Sequence, residues 1–458
     1  MIATIFKAYD IRGIVDETLT EEVVEKIGRV LGSLALRQGC KKFCVGRDGR
    51  VSGQRLAAAL IKGVQSTGVD VFNLGMVPTP VLYFATQYFQ TGTGVSVTGS
   101  HNPPQYNGLK MMINGHTLFG EYIQEIYRRV LAQEWITADQ RGKVQRVDAV
   151  TPYLEKITST VTLQRPMRIA VDAGNGVAGP TARKLLRAMG CRIYPLYMNV
   201  DGTFPNHHPD PSKPANLSDL IAVTKTSSAE VGIAFDGDGD RLGVVTKSGK
   251  IIYPDRQMML FAADILQQHP GAPIVYDVKC TRALIPWIQR HGGEPVISRT
   301  GHSFVKLKLR ETKAPFAGEM SGHLFFNDER WFGFDDGIYA GARLLEILSR
   351  TSDISSLLEA LPETYSTPRL QVAVPEGKNH EIVSYLQDTM FFRDACTHCK
   401  IDGLRVEWAD GFALIRASNT TPVLVLRFEG DTPEALERIR EEFCQALKRL
   451  VPDLELSF

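Results

Sequence analysis

The chain has 458 residues, 43% of them apolar and 22% charged, with 52 Lys and Arg balancing 51 Asp and Glu to a net charge of +1. That length allows roughly three or four domains, and the even charge balance excludes a nucleic-acid groove or a membrane-attracted surface as the organising feature. No apolar run reaches the eighteen residues that span a bilayer, the first residues lack a secretory layout, and seven scattered cysteines read as reduced thiols, so a cytoplasmic protein is expected.

Along the chain, helical periodicity marks 21–37, 54–65, 179–188, 256–268, 336–349 and 433–450. Short β-branched runs lie between them at 42–45, 169–171 and 274–278. Strands alternating with helices predict an α/β class on largely parallel sheets. After about residue 368 the pattern changes to one helix, strands at 404–408, 412–415 and 424–428, and a terminal helix. We therefore expect three similar mixed or parallel-sheet α/β domains, 1–148, 149–250 and 251–365, then a smaller α+β domain, 366–458, arranged around a central cleft. Cys396 and Cys399 flank His398 in a Cys-x-x-Cys pair. With no second ligand pair, two free thiols is the better reading.

Four times an apolar run enters a polar loop and a second apolar run follows. Open α/β sheets place ligands at such carboxyl ends of strands. The most informative loop is Asp236-Gly237-Asp238-Gly239-Asp240-Arg241. Its three carboxylates repel one another unless a hard cation or protons neutralise them, which points to a divalent-metal site. An EF-hand needs Gly at loop position six and Glu at twelve; here Arg241 and Lys247 stand there. Three carboxylates leave octahedral positions open, which suits Mg²⁺ shared with a phosphate, and Arg241 has a use if an anion arrives. A solvated acidic turn is the bland alternative.

An earlier loop reads Thr98-Gly99-Ser100-His101-Asn102-Pro103-Pro104. A serine in such a turn is usually structural, and no G-x-S-x-G elbow surrounds Ser100. Beside a Mg²⁺ site, however, a serine suits phosphoryl chemistry, and a phosphoserine oxygen would join the three aspartates around the ion. Lys110 is then an acid, a base or a neutralising charge, or else a solvated strand-end lysine. A third loop, Gly318-Glu319-Met320-Ser321-Gly322-His323, places Glu319, Ser321 and His323 on one side if extended, fit to bond sugar hydroxyls. The fourth, Arg416-Ala417-Ser418-Asn419-Thr420-Thr421-Pro422, offers a guanidinium, hydroxyls and backbone N–H groups for a phosphate without a metal.

Taken together and in order, these loops resemble those of the α-D-phosphohexomutase family across essentially the whole chain, as does the opening Phe6-Lys7-Ala8-Tyr9-Asp10-Ile11-Arg12-Gly13. Glu319-Met320-Ser321-Gly322-His323 is similar to the bacterial phosphomannomutase/phosphoglucomutase branch, whereas phosphoglucosamine mutases tend to carry Gln where Met320 stands. The resemblance implies that Ser100 is the phosphorylated residue and, with Asp236, Asp238 and Asp240, a Mg²⁺ ligand. It implies Arg12, His101, Lys110 and Arg241 around the transferring group, with Lys110 and His302 as acid and base. Tyr9, Lys279, Gly301, Glu319, Ser321 and His323 would contact the sugar phosphate, and Arg416, Ser418, Asn419 and Thr420 the unreactive phosphate. It implies interconversion of hexose 1- and 6-phosphates, with a glucose or mannose 1,6-bisphosphate as activator. Closure by the last domain would exclude water. Phosphosugars are the expected partners, with no nucleic acid or membrane, in a monomer or weak dimer. A phosphoglucosamine mutase, a metal-dependent sugar phosphatase and a non-catalytic phosphosugar-binding protein are the alternatives.

Overall fold

The computed structural model describes residues 2–418 and 421–456. Packing divides the chain into two units, Met1–Gln257 with Ser321–Ala360, and Met258–Met320 with Leu361–Phe458. Among the described residues no helix is long and apolar enough to cross a membrane.

In the first unit, a seven-stranded sheet runs in the order Ile11–Ile14, Tyr106–Ile113, Gly94–Val97, Lys42–Arg47, Asp70–Met76, Val144–Arg146, with His116–Thr117 beside Tyr106–Ile113. The strands 42–47, 70–76, 94–97 and 144–146 are parallel neighbours. Both 11–14 and 94–97 pair antiparallel with 106–113. The period-3.6 apolar residues of helix Glu21–Arg37 join the same apolar core as the strands, and the Thr20 hydroxyl caps the helix by accepting from Val23 N at 3.3 Å.

A second sheet of the same unit has the order Ile251–Ile252, Leu242–Thr246, Val231–Phe235, Arg168–Asp172, Arg192–Leu196. Its strands 168–172, 192–196 and 231–235 are parallel, while 231–235 and 242–246 form a hairpin with Phe235 opposite Leu242. The aspartate loop is therefore the tip of a fully buried hairpin. The serine loop has the same construction, joining 94–97 to 106–113 with Val97 opposite Leu109. Every residue of helix Gly337–Leu348 is buried. It belongs here because Asp336 caps it through Tyr339 N at 2.8 Å and takes the Tyr153 hydroxyl at 2.9 Å.

The second unit holds the parallel strands Glu294–Ser298, Pro273–Asp277 and Phe316–Gly318. It also holds a six-stranded antiparallel sheet, Tyr365–Ser366, Val423–Gly430, Gly411–Ala417, Leu404–Trp408, Thr397–Cys399, with Leu370–Ala373 on Val423–Gly430. Helices Lys378–Thr389 and Pro433–Leu450 contribute to its apolar core. The edge strands 365–366, 370–373 and 397–399 escape the sequence reading because they are short and mostly exposed. Among the described residues, none of the seven cysteines forms a disulfide.

Candidate functional site

Two groups of the expected residues are assembled, one in each unit. In the first, hairpin geometry brings the serine and aspartate loops together, and a Cβ on Gly237 would collide with the Ser100 carbonyl, so only glycine allows this approach. Ser100 itself sits at φ 49° in the left-handed region and is 1% exposed. Its hydroxyl donates to Asp236 Oδ2 at 3.1 Å and lies 3.1 Å from His101 Nδ1.

Asp236, Asp238 and Asp240 are completely buried, with candidate ligand atoms within 4.8 Å of one another. Asp238 and Asp240 each spend one oxygen on the protein, and Asp236 spends both. Asp236 Oδ1 accepts three main-chain N–H groups, from Gly239 and Asp240 at 3.1 Å and Arg241 at 3.2 Å. Asp238 Oδ2 accepts from the Thr79 hydroxyl at 2.6 Å and Lys110 Nζ at 2.8 Å, and Asp240 Oδ2 also accepts from Lys110. The remaining oxygens, Asp238 Oδ1 and Asp240 Oδ1, accept no hydrogen bond although they are buried. Buried carboxylate oxygens left so are costly unless a cation takes them. With Asp236 Oδ2 beside the Ser100 hydroxyl, these oxygens form a hard donor set that fits a divalent cation. This is more than a solvated acidic turn.

Lys110 is 3% exposed rather than a solvated strand end. Burial opposes its charge, but Asp238 and Asp240 outweigh that and hold its pKa well above the lysine range. Burial and the mutual repulsion with Asp240 and Asp238 push Asp236 well up. Burial works the same way on Asp240, yet Lys110, His323 and Arg241 together hold it well below the carboxylate range. His101 is driven well below the usual histidine range by burial and by Arg241, Arg12 and Lys110, so its ring is neutral. Arg12 donates to Asp10 Oδ2 at 2.5 Å and Asn102 Oδ1 at 2.6 Å, tying the chain's first strand to the serine loop. Tyr9 is half-buried in the adjoining bend.

The third loop is not extended as expected. It turns at 320–321, and Gly322 at φ 99° takes a conformation closed to most side chains. Ser321 Oγ lies 2.9 Å from His323 Nδ1, and His323 Nε2 stands 3.3 Å from Arg241 Nε and 3.4 Å from Asp240 Oδ1. Ser321 and His323 thus adjoin the aspartate loop within the first unit.

Within the second unit, Glu319 is 1% exposed and its Oε1 accepts from Gly301 N at 2.6 Å. Gly301, at φ 125°, opens helix His302–Thr312, whose first residue His302 is buried. Lys279 Nζ pairs with Asp277 Oδ2 at 3.1 Å. The loop around Lys279 is held by Arg405, which donates to Val278 O at 2.5 Å and Cys280 O at 2.8 Å, and by Arg427, which donates to Lys279 O. Arg416 Nε donates to Asp402 Oδ2 at 3.1 Å, and the same oxygen accepts from Thr300 N at 2.9 Å. Ser418 Oγ accepts from Thr421 N at 3.3 Å. Asn419 and Thr420 lie outside the described residues.

Models of the phosphoglucomutase/phosphomannomutase family match in chain order: alpha/beta/alpha domain I at 3–137, domain II at 151–249, domain III at 253–365 and the C-terminal domain at 370–446. The chain belongs to the phosphoglucomutase/phosphomannomutase family. It is 55% identical over 440 residues to a phosphoglucomutase of Neisseria meningitidis serogroup A, covering 96% of this chain and 95% of that one. It is 51% identical over 458 residues to a phosphomannomutase/phosphoglucomutase of Pseudomonas aeruginosa PAO1, covering 100% and 98%. A crystal structure of a phosphoglucomutase/phosphomannomutase family protein from Burkholderia thailandensis superposes with TM-score 0.95 at 51% identity, covering both chains fully. These relatives agree with the bacterial branch suggested by the third loop.

Sequence reading missed three supports of the site. Thr79 orients Asp238; Asp402 orients Arg416; Asp48 and Arg50 bind the serine loop. A signal existed for the last pair, since Asp48-Gly49-Arg50 is a polar turn at the carboxyl end of strand Lys42–Arg47. Thr79 and Asp402 carry no such mark.

Proposed function

We propose that this member of the family interconverts hexose 1-phosphates and hexose 6-phosphates, of mannose, glucose or both, through a phosphorylated Ser100. It is an isomerase of the intramolecular phosphotransferase kind. The observation that carries the reading is the buried Ser100 hydroxyl held 3.1 Å from Asp236 Oδ2 in a three-carboxylate nest. Mg²⁺ is the ion we assign to Ser100, Asp236, Asp238 and Asp240; when bound it offsets charge on the transferring group.

In the first half-reaction the Ser100 Oγ–P bond breaks as a bond forms to the free sugar hydroxyl, giving a hexose 1,6-bisphosphate. The intermediate turns end for end and the other phosphate returns to Ser100. Protonated Lys110 and Arg241 balance the charge at this centre, and neutral His101 lies against the seryl oxygen. Lys110 and His302 serve as acid and base. Glu319, Ser321 and His323 bind sugar hydroxyls, while Lys279, Gly301, Tyr9 and Arg12 complete the contacts. The unreactive phosphate goes to Arg416, Ser418, Asn419 and Thr420. Domain boundaries at 148/149, 250/251 and 365/366, a cytoplasmic setting and a monomer or weak dimer complete the proposal.

The test is Ser100→Ala with glucose and mannose 1-phosphates, Mg²⁺ and catalytic 1,6-bisphosphate. Loss of isomerised product, with no phosphoryl uptake from the bisphosphate by mass, is expected. Release of inorganic phosphate in place of isomerised sugar by the unsubstituted protein would point to a phosphatase instead.

A further inference from the structure

We infer that Arg50 is a positioning residue for phosphoryl transfer, setting where the Ser100 hydroxyl stands by binding the main chain of its loop. The inference rests on the reading of Ser100 as the phosphoryl carrier. Arg50 follows strand Lys42–Arg47 and its side chain is 0% exposed. A guanidinium has five N–H donors in a fixed plane, and all five are used. Nε donates to Asp48 Oδ2 at 3.2 Å. Nη1 donates to Pro103 O at 2.6 Å and Tyr106 O at 2.9 Å. Nη2 donates to Ser100 O at 2.9 Å and Asn102 O at 2.5 Å.

One side chain therefore gathers four carbonyls of a single seven-residue stretch, including that of the nucleophile itself. With every donor spent, Arg50 has none for a phosphate, so its role differs from that of Arg12 or Arg241. Asp48 completes the arrangement from the other side. Its Oδ2 accepts the Thr98 hydroxyl at 2.8 Å and Gly99 N at 3.2 Å, and Thr98 Oγ1 in turn accepts Ser100 N at 2.8 Å. Both the N–H and the C=O of Ser100 are thus tied, directly or through Thr98, to this ion pair. That grip holds Ser100 at φ 49°, in the left-handed region that a non-glycine residue seldom takes. The Phe204 ring lies 5.2 Å from the guanidinium, and a Cβ on Gly99 would stand 2.5 Å from Arg50 Cζ and Nε.

Arg50→Lys keeps the charge but supplies three donors without the planar fork. Misplacing a reacting group by about 1 Å costs about 100-fold in rate. The expected result is a kcat reduced about 100-fold with KM and the Kd for glucose 1-phosphate changed by less than about threefold. The phosphoserine should also lose more phosphate to water per turnover. Circular dichroism establishes that the variant is folded. Gly99→Ala is the second variant, since its methyl displaces the guanidinium while leaving all charges in place; the same kcat-selective loss is expected. A folded Arg50→Lys, or a Gly99→Ala, with kcat within about threefold of the unsubstituted protein overturns the inference. So does a kcat loss matched by an equal loss of sugar-phosphate affinity. Ser100→Ala separates the two readings. If it is inactive while both clamp variants turn over normally, Arg50 alone fails; if it turns over, the carrier reading fails first.

Discussion

A buried carboxylate must be given partners on every lone pair it exposes to the interior, and Asp238 shows how unevenly that is done. Thr79 and Lys110 both donate to Oδ2, while Oδ1 accepts no hydrogen bond. The asymmetry orients the carboxylate toward a cation, and partners of this kind typically tune metal affinity about 10- to 100-fold. Thr79→Val, which keeps the shape and removes the hydroxyl, is therefore expected to weaken Mg²⁺ binding by about that factor by titration calorimetry, with the fold intact; unchanged affinity would remove Thr79 from the site. His207 gives the pH counterpart outside the aspartate loop. Its Nε2 meets Asp172 Oδ2 at 2.9 Å and its Nδ1 meets His208 O at 3.0 Å, so both nitrogens face acceptors, which favours the protonated ring. Burial lowers its pKa, but Asp172, the His208 carbonyl and Asp219 together raise it above the ordinary value. A folded pKa above the unfolded one means that the stabilisation is full below about pH 6.5 and disappears as pH rises through the folded value. Urea unfolding between pH 6 and 9 is expected to lose stability through this group, and His207→Gln to flatten that slope; an unaltered slope would assign it elsewhere.

At the scale of elements, the helix over 336–349 is legible because its apolar residues recur at helical spacing, and the structure starts it at Gly337 with Asp336 as cap. What spacing cannot disclose is that Asp336 serves two elements. It accepts from Tyr339 N at 2.8 Å and from Tyr153 OH at 2.9 Å, the latter from helix Val150–Thr160, far away in sequence. Removing it strips an N-cap, worth about 0.5–2 kcal/mol, and strands a buried hydroxyl, which costs about 1–3 kcal/mol more. Asp336→Ala is expected to lower unfolding stability by about 1.5–5 kcal/mol in denaturant titration. Adding Tyr153→Phe to it should recover part of that loss, because the stranded hydroxyl is gone. Strict additivity of the two substitutions would show that the two helices are not coupled through this carboxylate.

For the whole molecule, the polar loops could be read because glycine and aspartate at strand ends leave a mark in the sequence, whereas the grouping of residues in space could not. Residues 321–360 pack with Met1–Gln257 rather than with the neighbouring 258–320, a choice made by contacts such as Tyr153–Asp336, the Thr162 N–H donating to Glu346 Oε1 at 3.0 Å and Arg330 Nη1 donating to Thr160 O at 3.0 Å. Asp48-Gly49-Arg50 carries such a mark at the end of strand Lys42–Arg47, but the main-chain carbonyls that Arg50 binds carry none, since every residue has one. One consequence of the grouping can be measured. All three aspartates, Ser100, Lys110 and His323 lie in the first unit, while Arg416 and Glu319 lie in the second. A cation that binds the folded first unit stabilises that unit by RT ln(1 + [L]/Kd), about 2.7 kcal/mol at 100 times Kd. It adds nothing directly to the second. Hydrogen exchange with and without Mg²⁺ should therefore slow the amides of 94–113 and 231–246, whose strands carry the two loops, and EDTA should reverse the change. Peptides spanning 404–417 and 423–430 should exchange at the same rate in both conditions. Protection strongest in that antiparallel sheet, or absent around Asp236–Asp240, would place the cation somewhere other than the aspartate loop.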